Sequence, residues 1–288
     1  MIIDSHAHYN HKAYSNTFRY LTYGTDGYAL AEADRAQLLQ TLQQSGELCS
    51  VEPGVSLSSC WEVLQLSRDY PGRIFPAVGV HPTRAIGEKW QDRQILSDLA
   101  EDPSVIAIGE TGLDYHYPRK EQHRSKQYLW FFYQLDLAKR RKLPVILHVR
   151  DAHEQALRIL RWHPAKKWGG VIHCFYGNRE IADHYVRLGY HVGIGGALLQ
   201  PEERSKDLKQ AVAEIPLERI LLETDAPFIL PYCKDVLPPK LLRRTRNTSL
   251  ILPAVAEEIA RIKGIPTETV IRATAENAIK LFHLPIDS

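Results

Sequence analysis

Cysteine is scarce in this chain. The four present (Cys49, Cys60, Cys174 and Cys233) form no CxxC pair and no dense framework in 288 residues. That excludes a disulfide scaffold and suits a reducing compartment with free thiols. Long hydrophobic runs are missing as well, since none approaches the roughly 18 residues of a membrane span. The opening Met1-Ile2-Ile3-Asp4-Ser5-His6 has neither the basic start nor the apolar stretch of a signal peptide. Together these absences predict a cytoplasmic protein with no membrane contact. An excess of one charge is lacking too, because 36 basic and 34 acidic side chains leave a net charge of +2. That balance does not announce nucleic-acid binding, and it leaves room for a local basic rim. Repeats, low-complexity tracts and linkers are absent, so one domain over residues 1–288 is expected, with a monomer as the default. At 44% hydrophobic content the chain can bury a large core without staples.

Short apolar runs alternate with longer amphipathic, charged segments from end to end. Strands are expected at Met1–His8, Leu48–Val55, Ile74–Val80, Val105–Gly109, Pro144–Val149, Gly170–Cys174, Tyr190–Gly195 and Ile220–Thr224. Several are nearly continuous in Val, Ile and Leu, as parallel strands covered on both faces should be. Helices are expected between them at Asp34–Ser45, Trp61–Tyr70, Gln91–Glu101, Glu121–Arg141, Ala152–Trp162, Arg179–Leu188 and Pro201–Glu214. Leu250–Lys263 and Thr267–Phe282 then close the chain. Eight strand–helix units predict an α/β fold, a single (β/α)8 TIM barrel; a doubly wound open sheet is the rival that periodicity does not exclude. Long connections follow strand one (Tyr9–Ala33) and strand eight (Pro227–Thr248), on the face where such barrels carry their substrate loops.

Polar residues of ligand type stand at the finish of five of these apolar runs. Strand one ends in His6-Ala7-His8, whose imidazoles, two residues apart, point the same way. Glu110, His148, His173 and Asp225 end the fourth, fifth, sixth and eighth runs. A buried polar group costs free energy unless it finds a partner, and five such strand ends converge on one barrel mouth. Four histidines and two carboxylates suffice for two divalent ions bridged by one carboxylate. The donor set suits Zn or Mn and admits Mg. Such a pair activates water for hydrolysis without a covalent intermediate.

The motifs Asp4-Ser5-His6-Ala7-His8, Val80-His81-Pro82, Gly109-Glu110-Thr111-Gly112-Leu113-Asp114, Pro144–His148, His173-Cys174-Phe175 and Leu222-Glu223-Thr224-Asp225-Ala226-Pro227 occur in this order. Their set resembles the TatD family of metal-dependent deoxyribonucleases, which belongs to the amidohydrolase-type barrels. The resemblance implies that His6, His8, Glu110 and Asp225 hold one metal and that Glu110, His148 and His173 hold the second, with Glu110 bridging. Two features depart from the family pattern. Arg246-Asn247-Thr248-Ser249 stands where members usually carry Arg-Asn-Glu-Pro, and the tyrosine-rich Tyr9–Ala33 segment is longer than the usual first loop.

The function expected is a metal-dependent phosphodiesterase on DNA, working at single-stranded ends because a barrel mouth is a pocket, not a groove. The alternative is the same metal chemistry on an aminoacyl-RNA ester or a small-molecule amide or ester; a non-enzymatic metal-binding protein is the third class. Asp225 is expected to ligate a metal and to take the proton of the attacking water. His81 is a candidate for phosphate contact or proton transfer, Arg246 and Asn247 for substrate binding, and Glu223 for orienting a ligand from behind. Cys174, alternating with His173, is expected to face out of the barrel.

Overall fold

The computed structural model describes residues 1–44, 48–116, 121–234 and 237–286. In chain order its strands are β1 (Ile2–Asp4), β2 (Phe18–Gly24), β3 (Gly27–Ala33), β4 (Leu48–Pro53), β5 (Ile74–Val78), β6 (Ala107–Asp114), β7 (Val145–Arg150), β8 (Gly170–Ile172), β9 (His191–Ile194), β10 (Ile220–Leu222) and β11 (Thr245–Arg246). The helices are α1 (Arg35–Gln44), α2 (Leu57–Asp69), α3 (Arg93–Leu99), α4 (Glu121–Arg141), α5 (His153–Trp162), α6 (Arg179–Arg187), α7 (Glu202–Glu214), α8 (Pro239–Leu242), α9 (Leu252–Lys263) and α10 (Thr267–Phe282).

Eight parallel strands pair in the order β1-β4-β5-β6-β7-β8-β9-β10. The sheet closes on itself where Ser5 N donates to Leu222 O at 2.9 Å, Asp225 N to His6 O at 2.9 Å and His8 N to Ala226 O at 2.8 Å. This is the expected barrel, and the closing bonds dispose of the open-sheet rival. Its interior is filled by one side chain or two per strand, including Ile3, Val51, Phe75, Ile146, Val171 and Leu221, and α10 covers the far end with Ala275, Ala278, Leu281 and Phe282. Side chains of the opposite parity, such as Leu147, Ile172 and Leu222, pack outward under the helices. Strand period two therefore carries the inward column from Ile146 to His148, from Val171 to His173 and from Leu221 to Glu223.

Most elements fall within a few residues of the sequence expectation. Helix α2 starts at Leu57, four residues early, because Ser56 and Ser59 form a reciprocal capping box. The two long connections differ more. The segment after β1 is not irregular throughout: β2 and β3 pair as an antiparallel hairpin from Phe18–Ala33 to Gly24–Gly27. The segment after β10 contributes β11, which pairs in parallel with β2 through Thr245–Arg19 and Arg246–Tyr20. A small three-stranded sheet thus joins the loops of the first and last barrel strands on the outside of the seam.

Candidate metal centre

At the mouth, the inward column ends in histidines and carboxylates packed within hydrogen-bond reach. His6 Nε2 and His8 Nε2 lie 3.1 Å apart, and His148 Nδ1 and His173 Nε2 also lie 3.1 Å apart. Glu110 sits between the pairs and divides its two oxygens. Oε2 is 3.5 Å from His6 Nε2 and 3.6 Å from His8 Nε2. Oε1 is 2.8 Å from His173 Nε2 and 2.9 Å from His148 Nδ1. Asp225 Oδ1 joins the first pair, 3.4 Å from His8 Nε2 and 3.8 Å from His6 Nε2. His81 Nε2 approaches Oε1 of Glu110 at 3.3 Å. The structure thus gathers all six residues expected to converge, and His81 with them.

Glu110 does not end a strand as expected. β6 continues to Asp114, and the register shift against β7 between Ile108 and Thr111 is what turns Glu110 into the barrel. Gly109, at φ 158°, permits the close approach to β7, since a Cβ there would lie 2.7 Å from Ile146 Cβ.

The donor set fits divalent ions. Ligands around a tetrahedral ion with bonds of 2.0–2.1 Å stand about 3.3 Å apart, and the distances above bracket that value. Nitrogens facing one another across 3.1 Å cannot both present lone pairs without a cation between them, be it a proton or a metal. The electrostatics say the same. Burial pushes the His6 imidazole down to about 3, helped by His173. Burial also opposes charge on His8 and His148, but the carboxylates prevail. Asp225 and Glu110 lift His8 to about 9, and Asp114 and Glu110 lift His148 to about 9. Burial raises Glu110, yet His173, His81 and the hydrogen bond from His148 hold it well below the carboxylate range. The cluster demands cationic charge at the positions a metal pair would take.

A further layer of groups fixes these side chains. His148 turns Nε2 to Asp114 Oδ2 at 3.2 Å, leaving Nδ1 for the cluster. Thr83 N donates to His81 Nδ1 at 3.1 Å, so a neutral His81 carries its proton on Nε2, aimed at Glu110. Glu223 lies behind His173, with Oε1 3.9 Å from His173 Nδ1 and accepting the Cys174 N–H. Burial drives its pKa well up. Asp4 accepts from His6 N and Thr224 N and from the hydroxyls of Thr224 and Ser249, so one buried carboxylate bolts β1 to the segment after β10. Glu52 on β4, fully buried, accepts the Tyr9 N–H at 2.7 Å. From sequence alone Asp4, Glu52 and Asp114 carry no assigned role; the available signal is an acid in or flanking an otherwise apolar strand.

Above the cluster opens a cavity of about 1330 Å³ whose rim carries Lys12, Arg84, Arg150 and Arg204. Asn247 does not reach it. It is fully buried, and its amide nitrogen donates to Thr224 O and Ile229 O, bracing the loop that carries Asp225. Arg246 lies on β11 outside the lining of the cavity, near enough to His11 to add to the downward push that burial, His8 and Lys12 exert on that imidazole. Cys174 is a correction as well: at φ 46° it leaves strand geometry, and its side chain lines the cavity instead of facing outward.

Comparison with known proteins agrees with this geometry. The model of the TatD related DNase family matches residues 3–283. An uncharacterized metal-dependent hydrolase of Bacillus subtilis, YabD, is 32% identical over 284 residues, 99% of this chain and 100% of that protein. The 3'-5' ssDNA/RNA exonuclease TatD of Erwinia billingiae is 35% identical over 253 residues, covering 88% and 94% of the two chains. Among solved structures, the TatD homologue YJJV of Escherichia coli superposes with a TM-score of 0.80 at 26% identity, over 99% of this chain and 98% of that one. No helix among the described residues is long and apolar enough to cross a membrane. With a closed barrel, a histidine–carboxylate cluster at its mouth and a family match over nearly its whole length, the chain belongs to the TatD family of metal-dependent hydrolases.

Proposed function

We propose that this protein, as one domain over residues 1–288, hydrolyses phosphodiester bonds at the ends of single-stranded DNA or RNA with two divalent ions. Removal in the 3′-to-5′ direction is the polarity carried in the name of the Erwinia relative. The observation that carries the two-ion reading is the split of Glu110, Oε2 toward His6 and His8, Oε1 toward His148 and His173. His6, His8 and Asp225 would hold one ion and His148 and His173 the other, with Glu110 between them. Zn²⁺, Mn²⁺ or Mg²⁺ bound there would polarise a phosphoryl oxygen and lower the pKa of water from 15.7 toward about 7.

The chain's own groups supply the rest. Burial raises Asp225, but the hydrogen bond from His8 and the charge of His173 bring it below the usual carboxylate range. It is ionised at neutral pH, lies in the mouth, and can take the proton of the attacking water. His81, with its proton on Nε2, can donate to a phosphate oxygen or to the departing one. The four cations of the rim favour a polyanion entering end-on.

The test is a metal-reconstituted assay on 5′- and 3′-labelled DNA, RNA and aminoacyl-RNA, with calorimetric metal titration alongside. Stepwise shortening of the nucleic acids with two ions bound per chain is expected. Cleavage of the aminoacyl ester alone would transfer the chemistry to that bond, and a stoichiometry that stops at one would end the two-ion reading.

A further inference from the structure

The rim of the cavity mixes cations with exposed aromatics, and because β1 and β10 are neighbours at the seam, Phe228 lies beside the segment that carries His11 and Lys12. Strands four positions apart in an eight-stranded barrel face each other, so the segment after β4 lies across from that after β8, and the segment after β5 across from that after β9. The segments after β1, β4 and β5 contribute Lys12, Ser56, Ser58 and Arg84, with Glu62 and Glu88 among them. The segments after β8, β9 and β10 present Tyr176, Ala197, Phe228, Ile229 and Leu230, with Arg204 beside them. Two of these are large aromatics held open to solvent, Tyr176 at 58% and Phe228 at 47% exposure.

Both rings are fixed before any ligand arrives. The Tyr176 hydroxyl donates to Arg204 O at 2.6 Å. Phe228 N donates to Asp225 O at 2.8 Å, three residues from a candidate ligand. His8 and His11 contact the Phe228 ring in T-shaped geometry at 6.4 and 5.3 Å between centroids. Exposed aromatics cost solubility and earn nothing in the core, so rigid ones beside a cationic rim call for an occupant with one flat face and one anionic flank.

We propose that Tyr176 and Phe228 receive the terminal nucleobase of the strand by stacking, while the nearby cations Lys12, Arg84 and Arg204 receive the phosphates. This rests on the nuclease reading above and extends it to orientation: the base is gripped by stacking, which every base can offer, and its hydrogen-bonding edge goes unread. The protein therefore tolerates any terminal base but discriminates against a terminal nucleotide that has none.

The experiment compares two labelled oligonucleotides, identical except that one ends in a tetrahydrofuran abasic unit. Hydrolysis is followed with metal-loaded protein, and affinity by fluorescence anisotropy in chelator, where no turnover occurs. Wild-type protein should show a KM and a Kd at least about fivefold lower for the strand with the terminal base, the lower end of a stacking contact. Phe228→Ala should raise both constants for that strand to the abasic values and leave the abasic strand unchanged. Phe228→Leu, which keeps apolar bulk without the ring, should lose most of the same preference. A merely structural role for Phe228 would lower kcat on both strands alike, and that result overturns the proposal. Equal KM and Kd for the two strands in the wild-type protein also overturns it, with the nuclease reading intact. No hydrolysis of either strand overturns the nuclease reading and this proposal with it.

Discussion

Gly193 on β9 has no room for a methyl group. An ideal Cβ there would collide with Oε2 of Glu223 and stand 2.5 Å from its carboxylate carbon, about 0.9 Å inside the 3.4 Å at which ordinary contact begins. Glu223 has nowhere to retreat, being 1% exposed and tied to the Cys174 N–H in front of His173. Gly193→Ala must therefore overpack the barrel, at about 1–3 kcal/mol, or push the carboxylate off Cys174 and away from His173. The second route loosens an imidazole of the cluster, and loss of such an orienting partner weakens metal binding by about 10–100-fold. Urea unfolding in chelator reads the first cost, and zinc competition titration reads the second. Adding Glu223→Ala removes the obstructing carboxylate, so the double variant should be more stable than the sum of the single effects predicts. If Gly193→Ala changes stability by less than about 0.5 kcal/mol and leaves zinc affinity at the wild-type value, the placement of Glu223 as the support of His173 is refuted.

Asp225→Asn should lower kcat by about a hundredfold or more, the scale of a lost general base, while metal content falls far less, since an amide oxygen still ligates; near-normal kcat in the fully loaded variant leaves ligation as the only role. Arg84→Ala should raise KM for an oligonucleotide and flatten its dependence on salt, with Arg246→Ala doing so much less, because Arg84 lines the cavity and Arg246 does not; the reverse order would restore Arg246 as the phosphate contact. Burial and the nearby Arg219 lower His191 to about 4, against about 6.5 unfolded. A depressed base contributes stability that is whole above pH 6.5 and drains away as pH falls to 4, amounting to at most about 3.4 kcal/mol at 1.36 kcal/mol per pH unit. His191→Gln should flatten the stability–pH curve in that window, and an unchanged slope would assign the acid sensitivity elsewhere.

The barrel and the cluster were legible because both follow from period two. An apolar run that ends in His or Asp on the same parity must deliver that group to the mouth, as Val171 delivers His173. Legibility failed where the backbone leaves that period. Glu110 enters the barrel through a register shift in mid-strand, and Cys174 through a left-handed φ; neither is written in residue type. The β2–β3 hairpin did leave a trace, in the alternation Phe18, Tyr20 and Thr22 up to the Gly24–Gly27 turn, which aromatic-rich loop composition concealed. The Arg246–Ser249 stretch and the long first connection, read from sequence as separate features, are joined in the structure. Thr248 Oγ1 donates to Leu21 O on the hairpin at 3.1 Å, and Ser249 Oγ, whose proton goes to Asp4, accepts from the Tyr9 hydroxyl at 2.7 Å. The Thr-Ser pair serves the longer first loop, a long-range partnership that a linear reading treats as two unrelated changes.

That partnership, with the pairing of β11 on β2, bears on the order in which the fold can close as the chain is made. His6 and His8 are made before the rest of the barrel, β1 pairs with β4 on one side only until β10 follows, and the neighbouring β2 waits for Thr245 and Arg246 of β11. At 5–20 residues per second, roughly 12–50 seconds separate the first ligands from the last strand that secures them. Until residue 225 has been made the histidine pair has no Asp225 opposite it, and a chain halted before residue 246 lacks β11. The first barrel strand is thus held on both sides only once the eighth has followed it.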